Sequence, residues 1–147
     1  MKHGLLLVNL GTPDNPGISA VRRYLSEFLA DKRVIDLPAP LRYLLLYTLI
    51  LPFRSKRSAH AYQAIWSPEG SPLLFHSRNL ATKLQNRLGA QCQVVLSMRY
   101  GKPSIQQALS QLQRCETITV LPLYPQYSSA ATGSSIEKVL QLLATQI

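Results

Sequence analysis

Three short apolar runs recur along the chain, separated by segments of helical periodicity, and this alternation restricts the folds open to it. The runs are Leu5–Leu10 (LLLVNL), Cys92–Met98 (CQVVLSM) and Thr117–Leu123 (TITVLPL). Nearly continuous apolar character over so few residues is what a strand covered on both faces requires. An amphipathic helix is predicted from about Ser19 to Ala30, with Val21, Leu25, Phe28 and Leu29 on one side. Ser77 to Leu88 repeats leucine at 80, 84 and 88 and stops at Gly89, a residue suited to closing a helix. Pro103 fits the start of a helix over Ser104–Gln113 that turns Ile105, Ala108, Leu109 and Leu112 inward, and Ser134–Leu143 forms a closing helix. Strands alternating with helices predict an α/β fold: a doubly wound parallel sheet with helices on both faces. At 147 residues and 46% hydrophobic content, residues 1–147 suffice for a single α/β domain, with no linker or repeat to divide it.

The charge is basic, with sixteen Lys and Arg against seven carboxylates and a formal charge of +9. That favours anionic partners. The cations are scattered apart from Arg54, Lys56 and Arg57, and no nucleic-acid-binding signature accompanies them, so nucleic acid is not the expected partner. Cys92 and Cys115 form no CxxC pattern and fit a reduced, cytoplasmic setting. The opening MKHGLLLVNLGTPD meets Asn9 and Thr12-Pro13-Asp14 too soon for a signal peptide and reads as a first strand.

In parallel sheets of this kind ligands bind outside the carboxyl ends of the strands. The three strands end in NLGTPD, MRYGKPS and PLYPQYSS, which gathers polar and aromatic residues at that edge. Tyr62, Trp66, Tyr100, Tyr124 and Tyr127 offer flat apolar surface, and Arg54, Arg99, Ser71 and Ser128 offer donors. A planar, mostly apolar ligand with carboxylates at its rim calls for that combination. No dinucleotide or phosphate-loop fingerprint is present. His3 lies at the wrong end of its strand, and His60 and His76 stand isolated. Asp14, Asp31, Asp36 and Glu69 are scattered, and only Asp14 reads as lying in the crevice. The residues therefore describe a binding face without an evident catalyst or metal site.

Pro38–Arg57 (PAPLRYLLLYTLILPFRSKR) breaks the alternation. Its apolar stretch Leu44–Phe53 is about half the ~20 residues of a membrane span. It reads either as a core-facing helix or as an apolar lip over a hydrophobic ligand, in contact with lipid and flanked by cations for anionic groups.

LLLVNLGTPD, YQAIWSPEGSPL, MRYGKPSI and LPLYPQYSSAATGSS resemble, in order and spacing, the amino-terminal half of the ferrochelatases, from about Leu5 to the end of the chain. The resemblance implies one lobe of a two-lobed α/β fold with a porphyrin cleft between the lobes. It also implies an enzyme that inserts ferrous iron into protoporphyrin IX to form protohaem, with iron and porphyrin as substrates and no permanently bound cofactor. By motif position, Arg54 resembles the family's porphyrin-carboxylate arginine, and Tyr62 and Ser71 resemble its porphyrin-contacting tyrosine and serine. Leu10, Arg99, Tyr100 and Tyr124 fall at cleft-lining strand ends, with Arg99 and Tyr124 nearest the metal side. The apolar stretch then corresponds to the lip at the cleft mouth, which makes residues 41–53 a candidate peripheral membrane contact.

The departures carry information too. Asp14 stands where members acting on coproporphyrin have tyrosine, which points to protoporphyrin. Ser129 stands where cluster-bearing members have cysteine, so no iron–sulfur cluster is expected in this segment. Ala130 and Ala131 replace hydroxyl residues common in the family. The family's catalytic histidine and metal-site glutamate have no counterpart here, so the resemblance implies a lobe that needs the carboxyl-terminal lobe as partner and is inactive alone. The alternatives are a stand-alone tetrapyrrole carrier and an adaptor for anionic surfaces.

Overall fold

The protein's structure, a computed structural model, describes residues 2–145. Its centre is a three-stranded parallel sheet of order β2–β1–β3, built from β1 (His3–Thr12), β2 (Cys92–Gly101) and β3 (Thr117–Pro122). Leu5 lies opposite Val94 and Thr119, and Leu7 opposite Leu96 and Leu121. β1 and β2 run past their apolar stretches because Gly11 pairs with Tyr100 and Thr12 with Gly101. β3 stops one residue before the predicted Leu123.

Alternate residues of β1 face opposite ways, as the pleat requires. Leu6 and Val8 pack with Ile105 and Leu109 of α5 (Ile105–Gln111), with Leu112, and with Val139 of α6 (Ser134–Ala144). Leu7 packs on the other face, with Leu96 and Met98, against Leu74, Ala81 and Leu84 of α4 (Pro72–Leu88). With helices on both faces, the fold is the doubly wound α/β arrangement the alternation predicts. Burial of Leu6, Leu7 and Val8 is complete, and each such side chain contributes about 1.5–3 kcal/mol.

Two helix starts differ from expectation. α4 begins at Pro72 rather than Ser77, because Ser71 is its N-cap residue and proline suits the first helical position. Pro103 lies just outside α5, where Ser104 accepts from the Gln107 backbone N–H while the Gln107 side chain accepts from the Ser104 N–H.

The segment that broke the alternation is one continuous helical rod. α2 (Ala39–Leu45), a π-turn (Leu46–Ile50) and α3 (Leu51–Ile65) follow without a gap. Pro52 explains the π-turn: it has no N–H for the carbonyl four residues back, and its ring would strike that carbonyl. The ladder widens instead, and the Leu51 N–H bonds Leu46 O, five residues away. The rod buries one side of its apolar run and exposes the other. Leu46 and Leu51 are buried with Val21, Tyr24, Leu25 and Leu29 of α1 (Ile18–Leu29), whereas Tyr43, Leu44, Tyr47, Leu49 and Phe53 are exposed. No helix among the described residues is long and apolar enough to cross a membrane.

Candidate functional site

At the carboxyl ends of β1 and β2 the two backbones meet closely. Gly11 has φ of +118°, and a Cβ on it would lie 1.9 Å from the Tyr100 carbonyl oxygen. Only glycine fits there. Beyond this crossing opens a hollow of about 450 Å³ walled by Thr12, Asp14, Trp66, Ser71, Lys102 and Pro103, among others. A neighbouring hollow of about 400 Å³ shares Thr12, Asp14 and Lys102 and is closed by Arg23, Tyr24 and Glu27 of α1. Asp14, the carboxylate expected in the crevice, lines both and pairs with Arg23 at 3.5 Å.

Ser71 is buried at this edge, where its Oγ accepts from the Thr12 hydroxyl at 2.8 Å. Leu10 packs into the aromatic cluster formed by Tyr24, Tyr100 and Tyr62. The Tyr62 ring stands perpendicular to Tyr24 at 6.3 Å and nearly so to Trp66 at 6.4 Å. Tyr100 is 1% exposed; its ring edge meets Phe28, and its hydroxyl donates to Asp31 at 2.8 Å. Tyr124 is half-buried, its hydroxyl 3.2 Å from Ser135 Oγ. Arg54 lies apart, on the exposed side of α3, in a shallow hollow of about 670 Å³ with Leu49, Phe53 and Arg57. Five of the seven predicted site residues thus surround one aromatic centre, Ser71 borders the adjacent hollow, and Arg54 occupies a separate surface. Tyr127 and Ser128 are exposed beyond β3, where Ser128 Oγ accepts from the Ala131 N–H and so caps the π-turn Ser129–Gly133 that opens α6.

Arg99 is held rather than free. Its Nε donates to the Ser134 carbonyl at 3.1 Å and the Ser134 hydroxyl at 2.7 Å, and its Nη2 donates to Asp31 at 2.8 Å. The guanidinium lies 4.4 Å from the centre of the Tyr100 ring. Asp31 is the hub. One oxygen accepts from Arg99, Tyr100 and Ser134, and the other from the Arg33 backbone N–H at 2.8 Å. Burial works against its charge, but Ser134, the Arg33 N–H, Tyr100 and Arg99 outweigh it and hold the carboxyl below its ordinary range. Burial also pushes the phenols of Tyr24, Tyr62, Tyr100 and Tyr124 up. Ser134 draws Tyr100 partly back, and Ser135 and Arg99 do the same for Tyr124. The centre therefore presents neutral hydroxyls and one fixed cation at ordinary pH.

Ser134, Tyr24 and Thr12 are not singled out by the sequence, and Asp31, which reads there as one of the scattered carboxylates outside the crevice, is brought to this centre by the fold. Tyr24 was findable, since it sits at helical spacing between Val21 and Phe28. Asp31 carries no local signal. The histidines stand away from this centre: His3 bonds Thr117 and Thr119 on β3, and His60 and His76 are exposed on α3 and α4. Among the described residues no three His, Cys, Asp or Glu side chains are grouped to hold a metal ion.

The family model for ferrochelatase matches residues 2–147. The ferrochelatase of Legionella pneumophila strain Corby is 64% identical over 146 residues, covering 99% of this chain and 44% of its own length. That of Coxiella burnetii strain Dugway 5J108-111 is 54% identical over 140 residues, covering 94% of this chain and 40% of its own length. The chain thus spans less than half the length of these relatives.

Proposed function

The chain belongs to the ferrochelatase family, and on that premise we propose that it forms one wall of a porphyrin cleft in an enzyme inserting ferrous iron into protoporphyrin IX. The observation that carries this reading is the aromatic centre at the strand ends. The partly exposed Tyr62, Leu10 and Trp66, backed by the buried Tyr24 and Tyr100, supply flat apolar surface, while Arg99 and the Tyr124 hydroxyl supply donors beside it. A tetrapyrrole needs both, because its faces are apolar and its rim carries carboxylates. The role of Arg54 in this scheme is at the cleft mouth, meeting a carboxylate from the rod α2–α3.

Metal insertion requires a base for two pyrrole protons and a surface that distorts the ring to expose nitrogen lone pairs. No histidine of this chain stands at the centre. The base and the metal-side carboxylate are therefore assigned to the part of the relatives' length that this chain does not span, and residues 1–147 are expected to give no turnover alone. The exposed Tyr43, Leu44, Tyr47, Leu49 and Phe53, beside Arg54, Lys56 and Arg57, favour peripheral contact with an anionic membrane as well.

Titration with protoporphyrin IX, read by the shift of its Soret band, tests the binding role, and iron-insertion assays test the division of labour. Weak or no porphyrin binding and no turnover by the chain alone, and turnover when a relative's remaining portion is supplied, is the expected pair of results. Tight micromolar binding that the added portion neither strengthens nor converts to turnover would favour a tetrapyrrole carrier. Iron insertion by residues 1–147 alone would refute the assignment of the base elsewhere. Sedimentation with anionic vesicles, lost on charge reversal at Arg54, Lys56 and Arg57, checks the membrane contact.

A further inference from the structure

The Arg99 guanidinium is the one cation fixed at the aromatic centre, and what fixes it lies outside the motifs that mark the site. Asp31 follows α1, Arg99 and Tyr100 end β2, and Ser134 opens α6. Three elements therefore close on a single carboxylate. Its two oxygens accept four donors, and its side chain is only 8% exposed, so nothing remains for it to offer a substrate or a metal. Arg99 is the opposite case. Its Nε and Nη2 are engaged with Ser134 and Asp31, while Nη1 has no hydrogen bond within the protein among the described residues.

We propose that Asp31 is a positioning residue: it holds Arg99 at Nη2, while Ser134 holds Nε, and so leaves Nη1 presented as a ready donor to an acceptor on the bound tetrapyrrole. The last clause rests on the porphyrin reading above; the clamp itself does not. An unclamped arginine would lose side-chain freedom on meeting a ligand, and prior fixation removes that cost from binding. The clamp also gives the cation a partner in a half-buried setting, where an unpaired guanidinium is costly. Asp31 thus acts through Arg99 without touching the ligand.

The test uses Asp31→Asn in the full chain, with two readouts. The first is the Arg99 Nη2–H resonance in ¹⁵N NMR, assigned by its loss in Arg99→Lys. In the unaltered protein it should be sharp and slow to exchange, and in the Asn variant exchange-broadened. The second is the affinity for protoporphyrin IX. Each single variant should bind about tenfold more weakly, the loss of one charge-assisted hydrogen bond. The double variant Asp31→Asn/Arg99→Lys should bind no more weakly than Arg99→Lys, as expected of residues acting as one unit. An Nη2–H signal that stays sharp in Asp31→Asn, or affinity losses that simply add, would overturn the proposal and leave Asp31 a stability residue. If neither the unaltered protein nor any variant binds porphyrin even with a relative's remaining portion supplied, the cleft reading fails, and the Nη2–H arm still decides the clamp. Should the Asn variant not fold, the unaltered protein is taken down in pH while the Asp31 carboxyl ¹³C signal is followed. Loss of the Arg99 Nη2–H signal in step with Asp31 protonation supports the clamp, and its persistence refutes it.

Discussion

Replacing Gly11 by alanine tests whether β1 and β2 really touch where the site begins. The added Cβ would lie 1.9 Å from Tyr100 O and 2.9 Å from its carbonyl carbon, both backbone atoms that cannot rotate away. The same substitution places a non-glycine residue at φ +118°, which costs about 1–3 kcal/mol in strain wherever it occurs. Relieving the contact requires the strands to part at Gly11–Tyr100. That loosens the end of the ladder and the Tyr24 hydroxyl bond to Gly11 O, each hydrogen bond contributing about 1 kcal/mol.

The sum is about 3–5 kcal/mol, a large share of the roughly 5–15 kcal/mol that holds a domain together. For a chain of this size it should lower the Tm by roughly 10 °C or more. Gly70→Ala supplies the control, because Gly70 has φ of +100° and a Cβ there meets nothing within 4 Å. It carries the strain without the collision. Thermal and urea unfolding of both variants, followed by circular dichroism, separates the two contributions. Gly11→Ala should be the less stable by about 2 kcal/mol or more, the part owed to the collision and the lost hydrogen bonds. Equal stabilities would mean that the two strands do not approach as described, and the geometry of the site's floor would fall with that contact.

Two further outcomes follow from the buried hydroxyls. Thr12→Val deletes the donor to Ser71 Oγ at a site where both residues are buried; it should cost about 1–3 kcal/mol, with Thr12→Ser restoring most of it. A valine variant as stable as the unaltered protein would show that the bond is not formed. The Tyr24, Tyr62, Tyr100 and Tyr124 phenols are raised in the folded protein, chiefly by burial. Their neutral forms therefore stabilise the fold fully below the unfolded value of about 10, and that contribution is lost as pH rises through the folded values. Absorbance at 295 nm should show at least four tyrosines ionising late and together with loss of circular dichroism; seven tyrosines ionising near pH 10 in a still-folded protein would contradict their burial.

What was legible in the sequence and what was not divides along the range of the interactions. Strands and helices were readable because apolar runs and 3.6-residue spacing are local, and the position of the crevice followed from the parallel order of the strands. Even the π-turn in the rod α2–α3 has a local cause, Pro52, although its result is a widened turn rather than a break. Arg54 and Tyr62 show what sequence spacing leaves open. Eight helical steps of ~100° and ~1.5 Å leave two side chains about 80° apart in direction and about 12 Å apart along the axis. One therefore joins the aromatic centre while the other faces a separate hollow, although both lie in one motif region. Asp31 shows where spacing is silent. Its side-chain partners Arg99, Tyr100 and Ser134 stand 68, 69 and 103 positions away, so no window along the chain contains the clamp. A cation at a strand end can be read from sequence. Whether it is free to swing or held by one edge depends on which carboxylate the folded chain brings beside it, and here that carboxylate follows a helix whose own pattern gives no reason to notice it.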